Sequence, residues 1–171
     1  MPSNLPTTLR TQPQDLFPST PGIYALILQI DVPNTIQIGR LGSHTFSAGA
    51  YLYLGSARGP GGISARVRRH LRDASQKQRH WHIDWLWEIA RPTGVIWSHA
   101  SNTRECKWAK ILNPFSSREP FKFGASDCRC EGHLLRLKSP AELRYALTAL
   151  RGSSTNEVHL LHLEHPLEKT G

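Results

Sequence analysis

Long apolar runs are absent from this 171-residue sequence, in which no stretch approaches the roughly 20 apolar residues that a membrane-spanning helix needs. The N-terminal residues also lack the apolar core and the charge pattern of a secretory signal. Cysteine is scarce, with three residues. Without an export signal we expect a reducing, cytoplasmic location in which the thiols are free or metal-bound.

Acidic residues are few compared with basic ones. The chain has 13 Asp and Glu against 21 Lys and Arg, which gives a formal net charge of +8. Clustered cationic side chains raise both the association rate and the non-specific affinity for polyphosphates. The expected partner is therefore a nucleic acid and not a membrane.

The length and the hydrophobic content of 39% suit one domain with a real core. Five prolines in residues 1–21 predict an irregular N-terminal segment. We expect a folded domain over residues 22–150 and a polar C-terminal tail over residues 151–171. The run 23–30 is almost continuously apolar, as in a strand that is covered on both faces.

Hydrophobic periodicity predicts an α+β fold in which a small, mainly antiparallel central sheet is flanked by helices. Strands 35–40 and 50–55 should follow the first strand in a meander. Later predicted strands are 95–97, 121–124 and 132–137. Two predicted helices cover residues 63–73 and 80–90. A third begins near Thr103, with Asn102 or Thr103 as its N-cap, and a fourth begins at Pro140.

Five residues, Tyr24, Tyr53, Arg66, His70 and Glu105, have the side chains needed to cut a phosphodiester and occur in order on the predicted elements. They belong to Gly22-Ile23-Tyr24, to Tyr53-Leu54-Gly55, to the basic helix with Arg66 and His70, and to the start of a later helix with Glu105. Hydrolysis needs a deprotonated water and cations on the phosphate oxygens. A single carboxylate can anchor Mg²⁺, which keeps several waters, and the planar fork of arginine suits phosphate.

This ordered set resembles the GIY-YIG nuclease superfamily over residues 22–137. The wider strings resemble an uncharacterised branch that occurs as small stand-alone proteins and fused to DNA-repair glycosylases; these strings are Tyr51–Ala57, Gly59–Gly62, His80–Asp84 and Phe123–Cys128. The separation of the two tyrosine motifs is longer than in the usual superfamily pattern, which predicts an inserted strand or loop.

The resemblance implies a DNA endonuclease, with repair or branched structures as candidate substrates, that uses Mg²⁺ or Mn²⁺ held by Glu105. It implies that Tyr24 is the general base and that Tyr53 positions the water or the phosphate. DNA is favoured over RNA. A phenol with a pKa near 10 is almost entirely protonated at neutral pH, so His70 remains a rival base.

A basic run follows the second motif: six of the 21 Lys and Arg fall in residues 66–79. Such an excess favours a phosphate-binding face, although a solvated helix face is the ordinary alternative. The residues expected to contact nucleic acid are Gly55, Ser56, Arg68, Arg69, Arg72, Lys77, Arg79, His80 and His82.

The cysteines offer a second metal chemistry. Cys106, Cys128, Cys130 and His133 have the donor types of a Cys₃His zinc site, but C-x-C is shorter than usual zinc spacing. On a strand, Cys128 and Cys130 would instead share one face as small buried hydrophobes. Two rivals to the nuclease hypothesis therefore stay open: a non-catalytic nucleic-acid-binding module and a zinc-stabilised interaction domain.

Overall fold

The fold was described from a computed structural model that covers residues 16–72, 74–76, 78–100, 104–118, 120 and 122–163. No helix within these ranges combines the length and the apolar character needed to span a bilayer. The elements are, in chain order, β1 (Gly22–Ile30), β2 (Asn34–Ile38), β3 (Gly42–Phe46), β4 (Gly49–Ala57), α1 (Gly62–Leu71), α2 (Ile83–Leu86), β5 (Ala90–His99), α3 (Glu105–Leu112), β6 (Ser116–Arg118), β7 (Leu134–Leu137), α4 (Glu142–Ser153) and β8 (Val158–His162).

The predicted α+β class is confirmed. Six strands form one antiparallel sheet in the order β6-β7-β4-β1-β5-β8. The predicted meander is wrong, because β1 pairs directly with β4, and β2 and β3 form a separate two-stranded hairpin. This hairpin is the insertion that the long separation of the tyrosine motifs predicts.

Strand β1 is buried on both faces of the sheet, as its continuous apolar run predicts. Successive side chains of a strand point to opposite faces. Tyr24, Leu26 and Leu28 join a core with residues of α1 and α2, whereas Ile23 and Ala25 join a core with residues of α3 and α4. The central sheet thus separates two apolar layers, and Tyr24 lies on the α1 side.

Several predicted elements differ from the structure. The helix predicted at 80–90 shrinks to α2, and β5 begins at Ala90, so the strand predicted at 95–97 is much longer. Residues 122–124 form turns and not an edge strand, while Phe121 lies outside the described residues. The predicted caps Asn102 and Thr103 also lie outside them; α3 begins after Arg104 without a side-chain cap.

The two ends of the described chain are tied to the fold. Most of the predicted N-terminal segment, residues 1–15, lies outside the described residues, but Phe17 is buried and the carbonyls of Pro18 and Thr20 accept hydrogen bonds from the first turn of α1. Residue 151, the predicted start of the tail, lies within α4, and β8 pairs with β5 at the sheet edge.

Candidate active site

One cleft of about 480 Å³ lies where β1 begins and β4 ends. It gathers side chains that are far apart in sequence, from the sheet, from α1, from the start of α3 and from the loop after β6. The residues that line it are Tyr24, Tyr53, Leu54, Gly55, Ser56, Arg66, His80, Trp81, His82, Glu105, Gly124, Ser126, Asp127 and His133. Four of the five predicted catalytic residues are among them.

The pairing of β1 with β4 sets the positions of both tyrosines. Tyr24 lies opposite Gly55 in this register, and Tyr53 lies two residues earlier on β4. A Cβ at Gly55 would lie 2.8 Å from Cε1 of Tyr24 and closer still to its hydroxyl. The absence of a side chain at Gly55 therefore leaves room for the Tyr24 ring to reach the cleft. The role of this glycine in the motif is steric.

His70, the fifth predicted catalytic residue, lies behind the tyrosines instead of lining the cleft. It is 1% exposed, and its Nε2 is 2.8 Å from the hydroxyl of Tyr24. Tyr53 contacts the same imidazole edge-on, at 5.8 Å between ring centroids. A buried hydrogen bond thus links the Tyr24 hydroxyl to a group that can take its proton.

Both tyrosines remain protonated at neutral pH. Burial, followed by the neighbouring Tyr53, raises the pKa of Tyr24 well above its usual value, and nearby Arg66 opposes only part of this rise. Burial, followed by Asp84, likewise raises the pKa of Tyr53. A free phenolate at either position is therefore disfavoured, and the two side chains act as neutral hydroxyls.

Arg66 presents its guanidinium to the cleft from α1. Its Cζ lies 4.7 Å from the ring centroid of Trp81, a cation–π contact that orients the side chain. Among the described residues, none forms a hydrogen bond or an ion pair with this guanidinium. Its donors are consequently available for an anionic ligand in the cleft.

Arg69 has a different environment from that of Arg66. Its guanidinium donates two hydrogen bonds to the buried Asp84 carboxylate, at 3.1 and 2.9 Å, and stacks on Trp81 at 3.9 Å. Asp84 also accepts hydrogen bonds from the backbone amides of His80 and Trp81. These contacts give Arg69 a part in shaping the cleft wall through Trp81, and its predicted role in nucleic-acid binding stays a prediction.

Replacing Asp84 by Asn should destabilise the fold. Burial opposes ionisation of Asp84, but the hydrogen bonds from Arg69 and the two amides outweigh it and lower its pKa. Losing this charge leaves the partly buried Arg69 without its counterion, at a cost of about 2 kcal/mol in the free energy of unfolding. Urea denaturation measures the change. Asp31→Asn, which breaks the exposed pair with Arg91, is the matched control and should cost less than about 1 kcal/mol; equal losses would contradict this account.

The same pair predicts a pH dependence of stability. Because the pKa of Asp84 is lower in the folded state than its usual 3.8, its contribution is fully present above that value and is lost as the pH falls through the folded pKa. Below about pH 4 the stability of the wild-type protein should therefore decline more steeply than that of Asp84→Asn. Parallel declines in acid denaturation would sink this prediction.

Glu105 is the first residue of α3, and its side chain is 13% exposed. The Ser56 hydroxyl donates to one carboxylate oxygen and accepts a hydrogen bond from the Glu105 amide at 3.1 Å. The other oxygen, Oε1, lies 3.9 Å from Nδ1 of His133. Ser56, predicted to contact nucleic acid, therefore fixes the carboxylate that the sequence nominates as a metal anchor.

The remaining predicted nucleic-acid contacts have mixed surroundings. Arg68 and Arg72 are exposed on and just after α1. Arg79 pairs with Glu88 on the surface, and Lys77 lies outside the described residues. His80 and His82 line the cleft, but Nδ1 of His82 accepts a hydrogen bond from the Gly124 amide, and burial lowers the pKa of His82.

Sequence reasoning missed four cleft residues. Trp81 falls within the helix predicted at 80–90; it is only partly buried and supports two arginines. Gly124, Ser126 and Asp127 come from a loop, so no periodicity places them near β1. The one sequence signal was the string Phe123–Cys128, which resembles the nuclease branch without indicating where the loop lies.

The three cysteines converge with His133 beside the cleft. One ligand atom from each of these four residues lies within 4.8 Å of all the others, so the group could hold a metal ion. Cys128 and Cys130 both lie in bends and not in a strand, which excludes the predicted alternative of a shared strand face. Burial and the neighbouring thiols raise the pKa of the Cys106 thiol.

Comparison with known proteins gives a family. The sequence matches a family described as a domain of unknown function, DUF123, over residues 23–155, which includes every residue of the cleft. No curated protein and no solved structure matches the chain.

Proposed function

The chain belongs to the DUF123 family, and we propose that it is a divalent-metal-dependent endonuclease that hydrolyses phosphodiester bonds in DNA. The observation that carries the proposal is the convergence of Tyr24, Tyr53, Arg66 and Glu105 on one cleft, with His70 hydrogen-bonded behind Tyr24. The resemblance to the GIY-YIG superfamily supports the same chemistry. It also supports a substrate preference for DNA, with branched or damaged repair structures as candidates.

Glu105 fits the requirements of a Mg²⁺ or Mn²⁺ ligand. Its hard carboxylate faces the cleft, and a carboxylate has lone pairs left after it accepts the hydrogen bond from Ser56. Asp127, an exposed residue, is the other carboxylate that lines the cleft. Such an ion, when bound, neutralises phosphate charge and makes a coordinated water more acidic.

Arg66 is proposed to bind the non-bridging oxygens of the scissile phosphate. Its planar fork matches two phosphate oxygens, and its stacking on Trp81 keeps the guanidinium oriented in the cleft. Tyr53, which lines the same cleft from β4, would orient the same phosphate or the attacking water through its hydroxyl.

Tyr24 and His70 are proposed to share the proton of that water. Because burial keeps Tyr24 protonated, a phenolate is a poor candidate for the base. The Tyr24 oxygen can instead accept a proton from water while its own proton passes to Nε2 of His70, 2.8 Å away. The products are hydroxide and an imidazolium, so charge is conserved. The relay requires the His70 tautomer that carries its proton on Nδ1.

Exposed arginines outside the cleft should contribute to affinity only by neutralising phosphates. The double variant Arg68→Gln/Arg72→Gln should lower the log–log salt slope of duplex binding by about 0.9 for each phosphate that it no longer neutralises. Fluorescence anisotropy at several salt concentrations measures the slope. Arg144→Gln, an exposed arginine of α4 on the opposite side of the sheet, is the control. An unchanged slope in the double variant would mean that Arg68 and Arg72 do not contact DNA phosphates and belong to an ordinary solvated helix face.

The test of the proposed function measures binding and cutting on the same samples. Full-length protein is incubated with Mg²⁺ or Mn²⁺ and end-labelled linear, flap and branched DNA, and with RNA of the same sequences. We expect cleavage of at least one DNA substrate. Binding without cleavage on any substrate would reject the nuclease and favour the non-catalytic module, and the absence of binding would reject both.

A further inference from the structure

The thiol–imidazole cluster, formed by Cys106, Cys128, Cys130 and His133, joins two parts of the fold. Cys106 is the second residue of α3, and the other three residues come from the loop that leads into β7. Their donor atoms all lie within 4.8 Å of one another. Nothing in the proposed hydrolysis uses the thiols, so their convergence needs a separate explanation.

Hydrogen bonds from the thiols to His133 do not account for this geometry. The sulfurs of Cys106 and Cys128 each lie 3.6 Å from the same nitrogen, Nε2 of His133. That nitrogen has either one lone pair or one hydrogen, so it cannot form a full hydrogen bond with both thiols. A cation at the centre would satisfy both contacts.

Two of the distances within the cluster agree with those of a zinc site. Zinc bound at about 2.3 Å by sulfur and about 2.0–2.1 Å by nitrogen in a tetrahedron separates a sulfur from a nitrogen by about 3.6 Å. The two sulfur–nitrogen separations of 3.6 Å equal this value. Thiolates are soft ligands that favour zinc over the hard Mg²⁺, and four protein donors are typical of a closed, structural zinc site.

The loop is held in the shape that the cluster needs. Lys122 has a left-handed backbone with φ of 66°, unusual for a residue other than glycine. Its ammonium group donates hydrogen bonds to the carbonyls of Cys128 and Cys130, at 3.0 Å each. The amide of His133 donates to the carbonyl of Phe123 at 2.7 Å. These contacts fold the loop back so that its thiols meet the imidazole.

An entry path to the cluster also exists. Cys106 and Cys130 line a second cavity of about 540 Å³, separate from the cleft, whereas His133 lines the cleft. An ion can therefore reach the thiols from solvent without passing through the cleft. The cluster lies between the two cavities.

We propose that Cys106, Cys128, Cys130 and His133 form a four-coordinate structural zinc site that fixes the start of α3 and thereby positions Glu105. Coordination through Nε2 places the imidazole proton on Nδ1, the atom that lies 3.9 Å from Oε1 of Glu105. In carboxylate–histidine–zinc arrangements this proton is donated to the carboxylate, which orients both groups. The 3.9 Å separation is longer than a hydrogen bond, so the two groups must move closer when the metal binds. Zinc binding holds whether or not the cleft cuts DNA, whereas the importance of the Glu105 position rests on the proposed function.

Metal analysis of the untagged full-length protein tests the site itself. We expect about one zinc per chain, and a tetrahedral thiolate spectrum when cobalt replaces zinc. His133→Asn should lose the metal. His44→Asn is the control, because Nε2 of His44 contacts only a backbone carbonyl in the described structure, and it should keep the zinc. Wild-type protein that neither contains zinc nor takes it up under reducing conditions would overturn the proposal, as would a disulfide among the cysteines after purification under those conditions.

The link to Glu105 is tested by affinity and not by activity. In competition with a zinc chelator, Glu105→Gln should weaken zinc binding by about tenfold or more, as loss of an outer carboxylate partner does elsewhere. Glu157→Gln is the matched control, because Glu157 also lies 3.9 Å from a histidine, His159, but on the surface at β8. Equal zinc affinity in both variants would remove the link while leaving the zinc site in place. Loss of DNA cleavage alone would not bear on either result.

Discussion

Glu105→Gln should abolish cleavage and leave DNA binding nearly unchanged. The substitution keeps the size of the side chain and its hydrogen bond with Ser56, but it removes the charge that would hold a divalent cation. We expect a fall in the single-turnover rate of about 10³-fold or more, which corresponds to about 4 kcal/mol of transition-state stabilisation. Binding depends mainly on phosphate contacts by cationic side chains, which this change does not touch.

The control for Glu105→Gln is Glu157→Gln, a carboxylate that is equally paired with a histidine at 3.9 Å but lies outside the cleft. It should cut at the wild-type rate. A Glu105→Gln protein that binds DNA as poorly as it cuts would mean that the carboxylate supports the fold or the binding surface. Cleavage by Glu105→Gln at the wild-type rate would remove Glu105 from the mechanism.

Tyr24→Phe should lower the cleavage rate by about 10²- to 10³-fold, within the range typical of general acid–base catalysis. The change removes the hydroxyl that contacts His70 and leaves the ring in the space provided by Gly55. Rapid-quench measurements at saturating protein separate the rate from binding. Tyr51→Phe is the matched control: this buried tyrosine of β4 donates to the Ser47 carbonyl and does not line the cleft.

A double-mutant cycle distinguishes the relay from independent roles. If Tyr24 and His70 pass one proton between them, His70→Gln in the Tyr24→Phe background should cost little more than either change alone. Additive losses would mean that the two side chains act separately. Wild-type activity in Tyr24→Phe would eliminate the hydroxyl as a proton acceptor and leave Tyr24 as a packing residue.

The sequence predicted the elements whose burial follows from local pattern. The continuous apolar run of β1 required cover on both faces, and both apolar layers are present. The residue types suited to phosphodiester chemistry in Tyr24, Tyr53, Arg66 and Glu105 were identified without distances, and the structure brings them to one cleft. Strand pairing was harder, because local pattern does not reveal that β1 skips the β2–β3 hairpin to reach β4.

Roles that depend on long-range contacts could not be read from the sequence. Asp84 is a charged residue within the helix predicted at 80–90, yet it is buried, where Arg69 and two backbone amides donate hydrogen bonds to it. The sequence gives no means of distinguishing Arg66 from Arg69, because both belong to the same basic run. In the structure Arg69 is paired with Asp84, whereas Arg66 is not. The C-x-C spacing by itself argued against a metal site. Spacing does not show that Lys122 donates hydrogen bonds to the carbonyls of Cys128 and Cys130, contacts that fold the loop so that its thiols converge.

The most direct test of the nuclease account is the single-turnover cleavage rate as a function of Mg²⁺ concentration, measured side by side for wild type and Glu105→Gln. Mg²⁺ should be withheld and not chelated, so that the proposed zinc ion stays in place. The account predicts no cleavage without Mg²⁺, a saturable rise in the wild type and a flat, near-zero response in the variant at equal bound DNA. Equal rates in the two proteins, or wild-type cleavage that ignores Mg²⁺, would contradict it.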